Sequence, residues 1–347
     1  MSLLRLKKEA FSCPDRYYSM KKRLFLSLIL CLLTSYIYGG NKFLITEREQ
    51  TQMTNEADDW IDEMPDGIQD RLSDAVNHAM HGFFSEIQYF RNISDTIGTE
   101  KYPVDVKNFD DGKLLFRLYT PRRKQTDPHK LPLFIFFHGG GWSLGSLNTT
   151  EKFCRALTSE GNIMVVSIDY PLSPEHPYPD AINQSKDMVE DIMEKASSWG
   201  ADASKISLGG EGAGGNIALA VYNCLPDNKK IKSLVVYYPL LDPSAQIDAG
   251  SKRKYGRGYG FDSRLWDSFT TAYQGKFEEN TKILPPTLII AAGRDIMLQS
   301  EKDFARSGNV SYVEFSGAIH GFLSDGHQKT AFSKAVELTE RFLTQNI

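Results

Sequence analysis

The sequence is short of three things: cysteine, an excess of positive charge, and an apolar run long enough to commit to a membrane span. Four cysteines in 347 residues exclude a disulfide-built scaffold. Cys13 and Cys31 fall near the amino terminus, which leaves Cys154 and Cys224 for a folded domain. These two lie on helices expected on opposite faces of a sheet, too far apart to bridge, so two free, buried thiols are expected. Forty basic against 44 acidic residues give a net charge of -4 and a pI near 6.0. There is no basic block, which removes the electrostatic case for a nucleic-acid partner. No internal repeat and no low-complexity tract interrupts the chain. The spacing of His78 and His81 could hold a metal, but no carboxylate-rich motif accompanies it. Both are therefore expected to be surface or packing residues.

What is present begins with a leader. Met20-Lys-Lys-Arg23 is a short positive segment, Leu24 to Tyr38 is apolar, and Gly39-Gly40 supplies small residues. That is the layout of a secretory signal peptide, and the run is shorter than the roughly 18 apolar residues of a spanning helix. Residues 1–40 are therefore read as a leader, with Met20 as a candidate start and export to the periplasm or exterior expected. An uncleaved amino-terminal membrane anchor is the alternative, because the residues before the cleavage point are not a clean A-x-A. Membrane association is expected only through this segment.

Beyond it, 41% hydrophobic and 24% charged residues are ordinary for a globular chain, and an α/β fold of this length can be one domain. Residues 54–100 read as amphipathic helix, with Ile68, Leu72, Ala75, Val76, Ala79 and Phe83 on one face. From residue 102 strands and helices alternate. Tyr102–Lys107 and Lys113–Tyr119 straddle Asp110-Asp-Gly112, a hairpin signal. Leu131–Phe137 and Ile163–Ile168 are continuous apolar runs, as buried parallel strands are. Ile206–Leu208, Leu234–Tyr238, Thr287–Ala291 and Val310–Phe315 complete about eight strands, with helices at Gly215–Leu225 and from about Lys329 to Leu343. This predicts an α/β fold with a mostly parallel sheet covered on both faces. Residues 243–282, polar, Gly-rich and aromatic, break the rhythm. Tyr255-Gly-Arg-Gly-Tyr-Gly260 follows no strand and opens no helix, so an insertion over the site is expected there rather than a phosphate loop.

Three segments carry chemistry. Gly210-Glu211-Gly212-Ala213-Gly214 stands between a strand and a helix in the form of a nucleophile elbow, G-x-S-x-G, with glycine in the serine's place. Upstream, His138-Gly-Gly-Gly-Trp142 follows a buried strand, and such a glycine run lets backbone N–H groups converge on a carbonyl oxygen that gains charge. Downstream, Asp295 and His320 follow the last two strands in the order acid, then histidine, with His320 as the base and Asp295 holding its tautomer. Ser207 and Ser143 do not have the spacing to replace the missing hydroxyl.

With Tyr170-Pro-Leu-Ser-Pro-Glu-His-Pro-Tyr-Pro179, Leu284-Pro-Pro286 and Ile319-His-Gly-Phe322, these segments make residues 102–345 resemble the hormone-sensitive-lipase-type α/β-hydrolases, which include bacterial carboxylesterases and arylacetamide deacetylases. The resemblance implies an α/β-hydrolase domain over 102–347 with a helical cap formed by 41–101 and by an insertion at 243–282. It implies an oxyanion hole from Gly140, Gly141 and Ala213, with Asp295 and His320 as acid and base. His138, Glu211 and Tyr170, with the Pro174–Pro179 segment, would brace the site. It implies hydrolysis of short- to medium-chain acyl esters without metal or cofactor, on a small apolar acyl-ester partner. Two departures stand out. Gly212 replaces the nucleophile, so acyl-enzyme turnover is expected to be lost or very weak. Gln299 stands where an acidic residue commonly follows the aspartate by four positions, in a segment about a helical turn shorter than usual. A non-catalytic small-molecule binding protein, and slow water-mediated hydrolysis using His320, are the alternative readings.

Overall fold

The computed structural model describes residues 43–94, 102–110, 112, 114–122, 130–244, 246–275, 283–306 and 309–347. The chain divides at Leu44 and Ile45, and the strands and helices described belong to the second unit. The leader read at residues 1–40 lies outside the described residues. Among those described, no helix is long and apolar enough to cross a membrane.

One sheet of eight strands organises the unit. In chain order these are β1 (Val104–Asp110), β2 (Leu115–Pro121), β3 (Leu131–Phe137), β4 (Met164–Asp169), β5 (Ala201–Glu211), β6 (Ile231–Tyr237), β7 (Thr287–Ala292) and β8 (Val310–Phe315). Their spatial order is β1-β2-β4-β3-β5-β6-β7-β8. β2 pairs antiparallel with both β1 and β4, and every other pair is parallel. The apolar run of β3 is explained by its place: Leu133–Phe137 lie between Met164–Ile168 and Ile206–Gly210, so neither edge nor face meets water.

The two faces of β3 go to different helices. Leu133, Ile135 and Phe137 join a core with Ile182 and Val189 of α5 (Asp180–Lys195) and Ile217 and Val221 of α6 (Ala213–Cys224). On the other face the Phe136 ring lies 5.0 Å from Phe153 of α4 (Glu151–Gly161), and Phe153 lies 6.5 Å from Phe332 of α10 (Lys329–Asn346). Cys154 and Cys224 therefore sit on opposite faces and form no disulfide. Cys154 is buried as expected; Cys224, at the last turn of α6, is only half-buried.

The helical stretch read over 54–100 is built, among the described residues, of three helices: α1 (Glu47–Glu63), α2 (Ile68–Met80) and α3 (Ser85–Ser94). Gly67, at φ 67°, breaks the first pair. α1 begins before residue 54 because Thr46 and Glu49 form a capping box, with Thr46 Oγ1 accepting from Glu49 N–H at 3.2 Å and Glu49 Oε2 from Thr46 N–H at 2.7 Å. That T-x-x-E signal is readable in the sequence. Phe83, placed on the apolar face, lies outside α2 and is exposed, since the helical stripe ends with the helix.

Between β6 and β7 stand α7 (Ala249–Tyr255) and α8 (Ser263–Tyr273), and α9 (Leu298–Ala305) follows β7. α2 packs on α8 through the Ser73 and Ser268 hydroxyls, 2.6 Å apart and buried, and through Arg264, which reaches Asp70 at 2.7 Å and Asp74 at 2.5 Å. α1 lies against the β8 end: Gln50 Nε2 donates to Glu314 O at 3.0 Å, and Glu56 accepts from Thr330 N–H and hydroxyl at 2.7 Å.

A buried charge cluster ties α4 to the antiparallel edge. Glu151 accepts from Arg155 Nε at 2.5 Å and also from Arg117 and the Tyr119 hydroxyl. Glu151→Ala leaves these donors without their acceptor. Breaking a buried pair from one side costs about 3–5 kcal/mol, so the variant's urea midpoint is expected to fall by that equivalent at unchanged slope in an unfolding titration.

Candidate active site

The elbow is a close approach of backbones that leaves no space for side chains. A Cβ at Gly210 would lie 2.4 Å from the Gly214 carbonyl, and one at Gly214 would lie 2.2 Å from Phe137 O and 2.3 Å from His138 O. Only glycine lets α6 start so near the end of β3. Gly212 sits at the turn with φ 52° and ψ -116°. Its N–H donates to Tyr237 O at 2.9 Å, and its carbonyl accepts from Leu240 N–H at 3.0 Å and Gly215 N–H at 3.1 Å. The place a Cβ would take is bounded by the imidazole of His320, with Nε2 at 3.3 Å and Cε1 at 3.9 Å.

His320 and Asp295 meet. His320 Nδ1 lies 2.6 Å from Asp295 Oδ2, and Asp295 Oδ1 accepts from Met297 N–H at 2.9 Å. A carboxylate oxygen accepts, so Nδ1 carries the hydrogen, and in the neutral imidazole Nε2 then presents its lone pair towards Gly212. The Asp295 side chain is fully buried. The imidazole is flanked by the rings of Phe261 and Tyr238, with centroids 4.4 and 4.6 Å away. Gln299 does not reach this pair; its amide bonds Asp303 at 3.0 Å.

The glycine loop after β3 turns with Gly140 at φ 113° and Gly141 at φ 58°, and Ser143 and Leu144 N–H both return to Gly140 O, at 3.1 and 2.8 Å. Phe269 of α8 presses on it so closely that a Cβ at Gly141 would lie 2.1 Å from the ring. Trp142 stacks on Tyr273 at 4.4 Å and donates Nε1–H to Asn216 at 3.3 Å. Behind the loop, His138 stacks on Tyr170 at 4.2 Å, and the Tyr170 hydroxyl donates to His138 O at 2.9 Å. His138 Nδ1 lies 2.8 Å from Gly139 O. Arg91 of α3 holds the loop's far end, donating to Ser143 O at 2.9 Å and Ser173 O at 3.1 Å while gripping Glu175 bidentately at 2.7 and 2.9 Å. Its role was not legible in the sequence, because nothing local joins residue 91 to residues 143 and 173.

Glu211 does more than the bracing expected of it. The residue is buried, and its carboxyl group accepts from Gly139 N–H at 3.2 Å, from the Tyr238 hydroxyl, and from Ser324 Oγ at 3.4 Å. Tyr238 in turn accepts from Leu323 N–H at 3.1 Å. Burial raises the Glu211 carboxyl above its usual range, against the lowering by the Tyr238 hydroxyl, Gly139 N–H and the two nearby histidines. A second carboxyl was missed altogether. Glu301 of α9 is fully buried, and neither oxygen has a hydrogen-bond partner among the described residues. Burial, then the negative charges of Asp295 and Glu314, push it well above the usual range, with Lys302 opposing.

Among the described residues no cluster could hold a metal ion. His78 Nδ1 instead lies 2.8 Å from Glu86, and His81 Nδ1 lies 2.9 Å from Asn77 O.

A family model described as alpha/beta hydrolase fold matches residues 134–324. The chain is similar to the carboxylic ester hydrolase LipN of Mycobacterium tuberculosis, 31% identical over 218 residues, 56% of this chain and 57% of that one. It is similar to an arylesterase of Saccharolobus solfataricus, 27% identical over 234 residues, 62% of this chain and 74% of that one. Among solved structures it resembles a serine-to-alanine mutant of LAE6, an alpha/beta hydrolase enzyme from the metagenome of Lake Arreo, with a TM-score of 0.62 and 27% identity over 77% of this chain and 95% of that one. The chain spans about half the length of several curated relatives it matches.

Two outcomes follow from the buried carboxyls. Glu211→Ala strands the Gly139 N–H and the Tyr238 hydroxyl, at about 1–3 kcal/mol each, so chemical denaturation is expected to show a loss of about 2–6 kcal/mol. For Glu301, a raised folded-state value means stability that is complete below the unfolded value of about 4.3 and is lost as pH rises through the folded value. Relative to Glu301→Gln, the parent's unfolding free energy is therefore expected to fall by up to about 1.4 kcal/mol per pH unit between the unfolded value and the raised folded one, and to level off above the latter. Equal slopes for the two proteins would contradict this.

Proposed function

The chain belongs to the alpha/beta hydrolase fold family, and from that premise we propose that it is a carboxylic-ester hydrolase scaffold whose acyl-enzyme route is closed at Gly212. The observation that carries this reading is the aim of His320 Nε2 at the Cβ position of residue 212, with Nδ1 held by Asp295. In a serine esterase the base at that point takes the hydroxyl proton, and the oxygen attacks the ester carbonyl. Glycine offers no hydroxyl. Loss of the serine in such a site costs about six orders of magnitude in turnover, and the remaining groups keep roughly 10³–10⁴ over water.

The rest of the machinery supports an ester ligand. Gly140 and Gly141 of the glycine loop and the N–H of Ala213 at the start of α6 are the donors for a carbonyl oxygen. The wall beside His320 is apolar: Phe261 lies on the imidazole, and the space beside Gly260 is closed by Met64 Cε at 3.4 Å and Ile319 Cδ1 at 3.5 Å. These side chains come from residues 41–101, from 243–282 and from the His320 loop, which supports the first two segments as the cap over a short- to medium-chain acyl pocket. Export through the leader belongs to the same proposal and rests on the sequence of residues 20–40.

The test is a paired assay of the parent and Gly212→Ser on p-nitrophenyl esters of increasing chain length. The serine variant is expected to gain at least about 10³-fold in kcat, a part of the loss just given. It is also expected to lose about 1–3 kcal/mol of stability, since a non-glycine residue at φ 52° is strained. A serine variant as inactive as the parent would sink the reading.

A further inference from the structure

Gly212 removes two heavy atoms, a methylene and a hydroxyl, from a site in which the base that would serve them is still in place. Apart from its chain neighbours, the first atom of such a group would have only the imidazole within 4 Å, with Nε2 at 3.3 Å. Serine's missing group has the composition of methanol without one hydrogen, and one water occupies about 30 Å³ in the liquid. The histidine cannot swing into the space, because Asp295 holds Nδ1 at 2.6 Å and the Phe261 and Tyr238 rings flank it at 4.4 and 4.6 Å. No atom of the glycine loop comes within 4 Å of that first atom. The His320 side chain is partly open to solvent, at 15% exposure.

We propose that this site accepts a small external hydroxyl or amine compound beside Gly212 and transfers an acyl group from an ester directly to it, with no covalent enzyme intermediate. The inference rests on the ester-hydrolase reading above and adds the identity of the acceptor: a molecule of one or two heavy atoms. The step balances without redox change. The lone pair of the acceptor's oxygen, or of its nitrogen for an amine such as hydroxylamine, forms the new bond to the carbonyl carbon, the proton on that atom passes to His320 Nε2, and the carbonyl π pair moves to the oxygen held by the Gly140, Gly141 and Ala213 N–H groups. Collapse of that intermediate re-forms the carbonyl and breaks the bond to the leaving alcohol, which takes the proton back from Nε2. Water gives the acid, methanol the methyl ester, hydroxylamine the hydroxamate. The chain's own part is general-base assistance, worth about 10²–10⁴-fold, together with the oriented N–H donors.

The test uses the full chain with p-nitrophenyl butyrate and rising methanol or hydroxylamine, and reads both nitrophenolate release and the acyl product by mass spectrometry. A saturating, at least tenfold rise with methyl butyrate or the hydroxamate as product is expected. The rise should be lost in His320→Gln and in Gly212→Ala, whose methyl takes the acceptor's place, and should be absent with tert-butanol. His320→Gln alone decides the matter if the alanine variant fails to fold. A response that is linear in acceptor, equal in His320→Gln, or equal for tert-butanol overturns the proposal. If Gly212→Ser hydrolyses the ester while the parent shows no acceptor-dependent product, acceptor transfer fails and the esterase scaffold stands. If neither protein turns the ester over, the scaffold reading fails with it.

Discussion

A buried carboxyl group, that of Glu211, holds three separate loops in one arrangement. It receives the Gly139 N–H of the glycine loop, the hydroxyl of Tyr238 at the end of β6, and Ser324 just after His320. Tyr238 extends the tie by accepting from Leu323 and lying against the imidazole. Each loop leaves the carboxyl end of a different strand, so no local rule could set their relative positions. Removed from water, the carboxyl makes each of these bonds stronger and each loss more costly. The place of His320 relative to Gly212 depends on it.

The second constraint is steric. β5 can turn into α6 at Gly212 only because Gly210 and Gly214 carry no side chains where the backbone of β3 passes. The turn itself is left-handed, a conformation that disfavours any side chain. A serine there holds strain because its oxygen is used; a glycine relaxes that strain and leaves the base without its substrate proton. Stability and turnover are opposed at this one residue.

Around that centre the covering elements come from distant parts of the chain. α2 and α8 are joined by Ser73, Ser268 and the Arg264 pairs with Asp70 and Asp74. Arg91 of α3 clamps both the glycine loop and the Ser173–Glu175 turn. These contacts put Phe261 on His320 and Phe269 on Gly141, and so shape the apolar wall on which the proposed acyl pocket rests.

The sequence by itself determined the order of strands and helices, because burial on both faces forces unbroken apolar runs such as Leu131–Phe137. It also placed the glycine loop, the elbow, Asp295 and His320 in the order that brings them to one edge of a parallel sheet. The T-x-x-E of Thr46 and Glu49 marks the start of the first helix, ahead of the apolar stripe. Only the tertiary structure decided the roles of Arg91, Glu211 and Glu301, whose neighbours are remote in sequence or absent as partners among the described residues. It also decided that Asp295 meets His320 despite the shortened segment and Gln299, since a 2.6 Å contact depends on where two strands end in space. Local pattern reports which face a residue turns to the core; which distant group it meets there is fixed by packing.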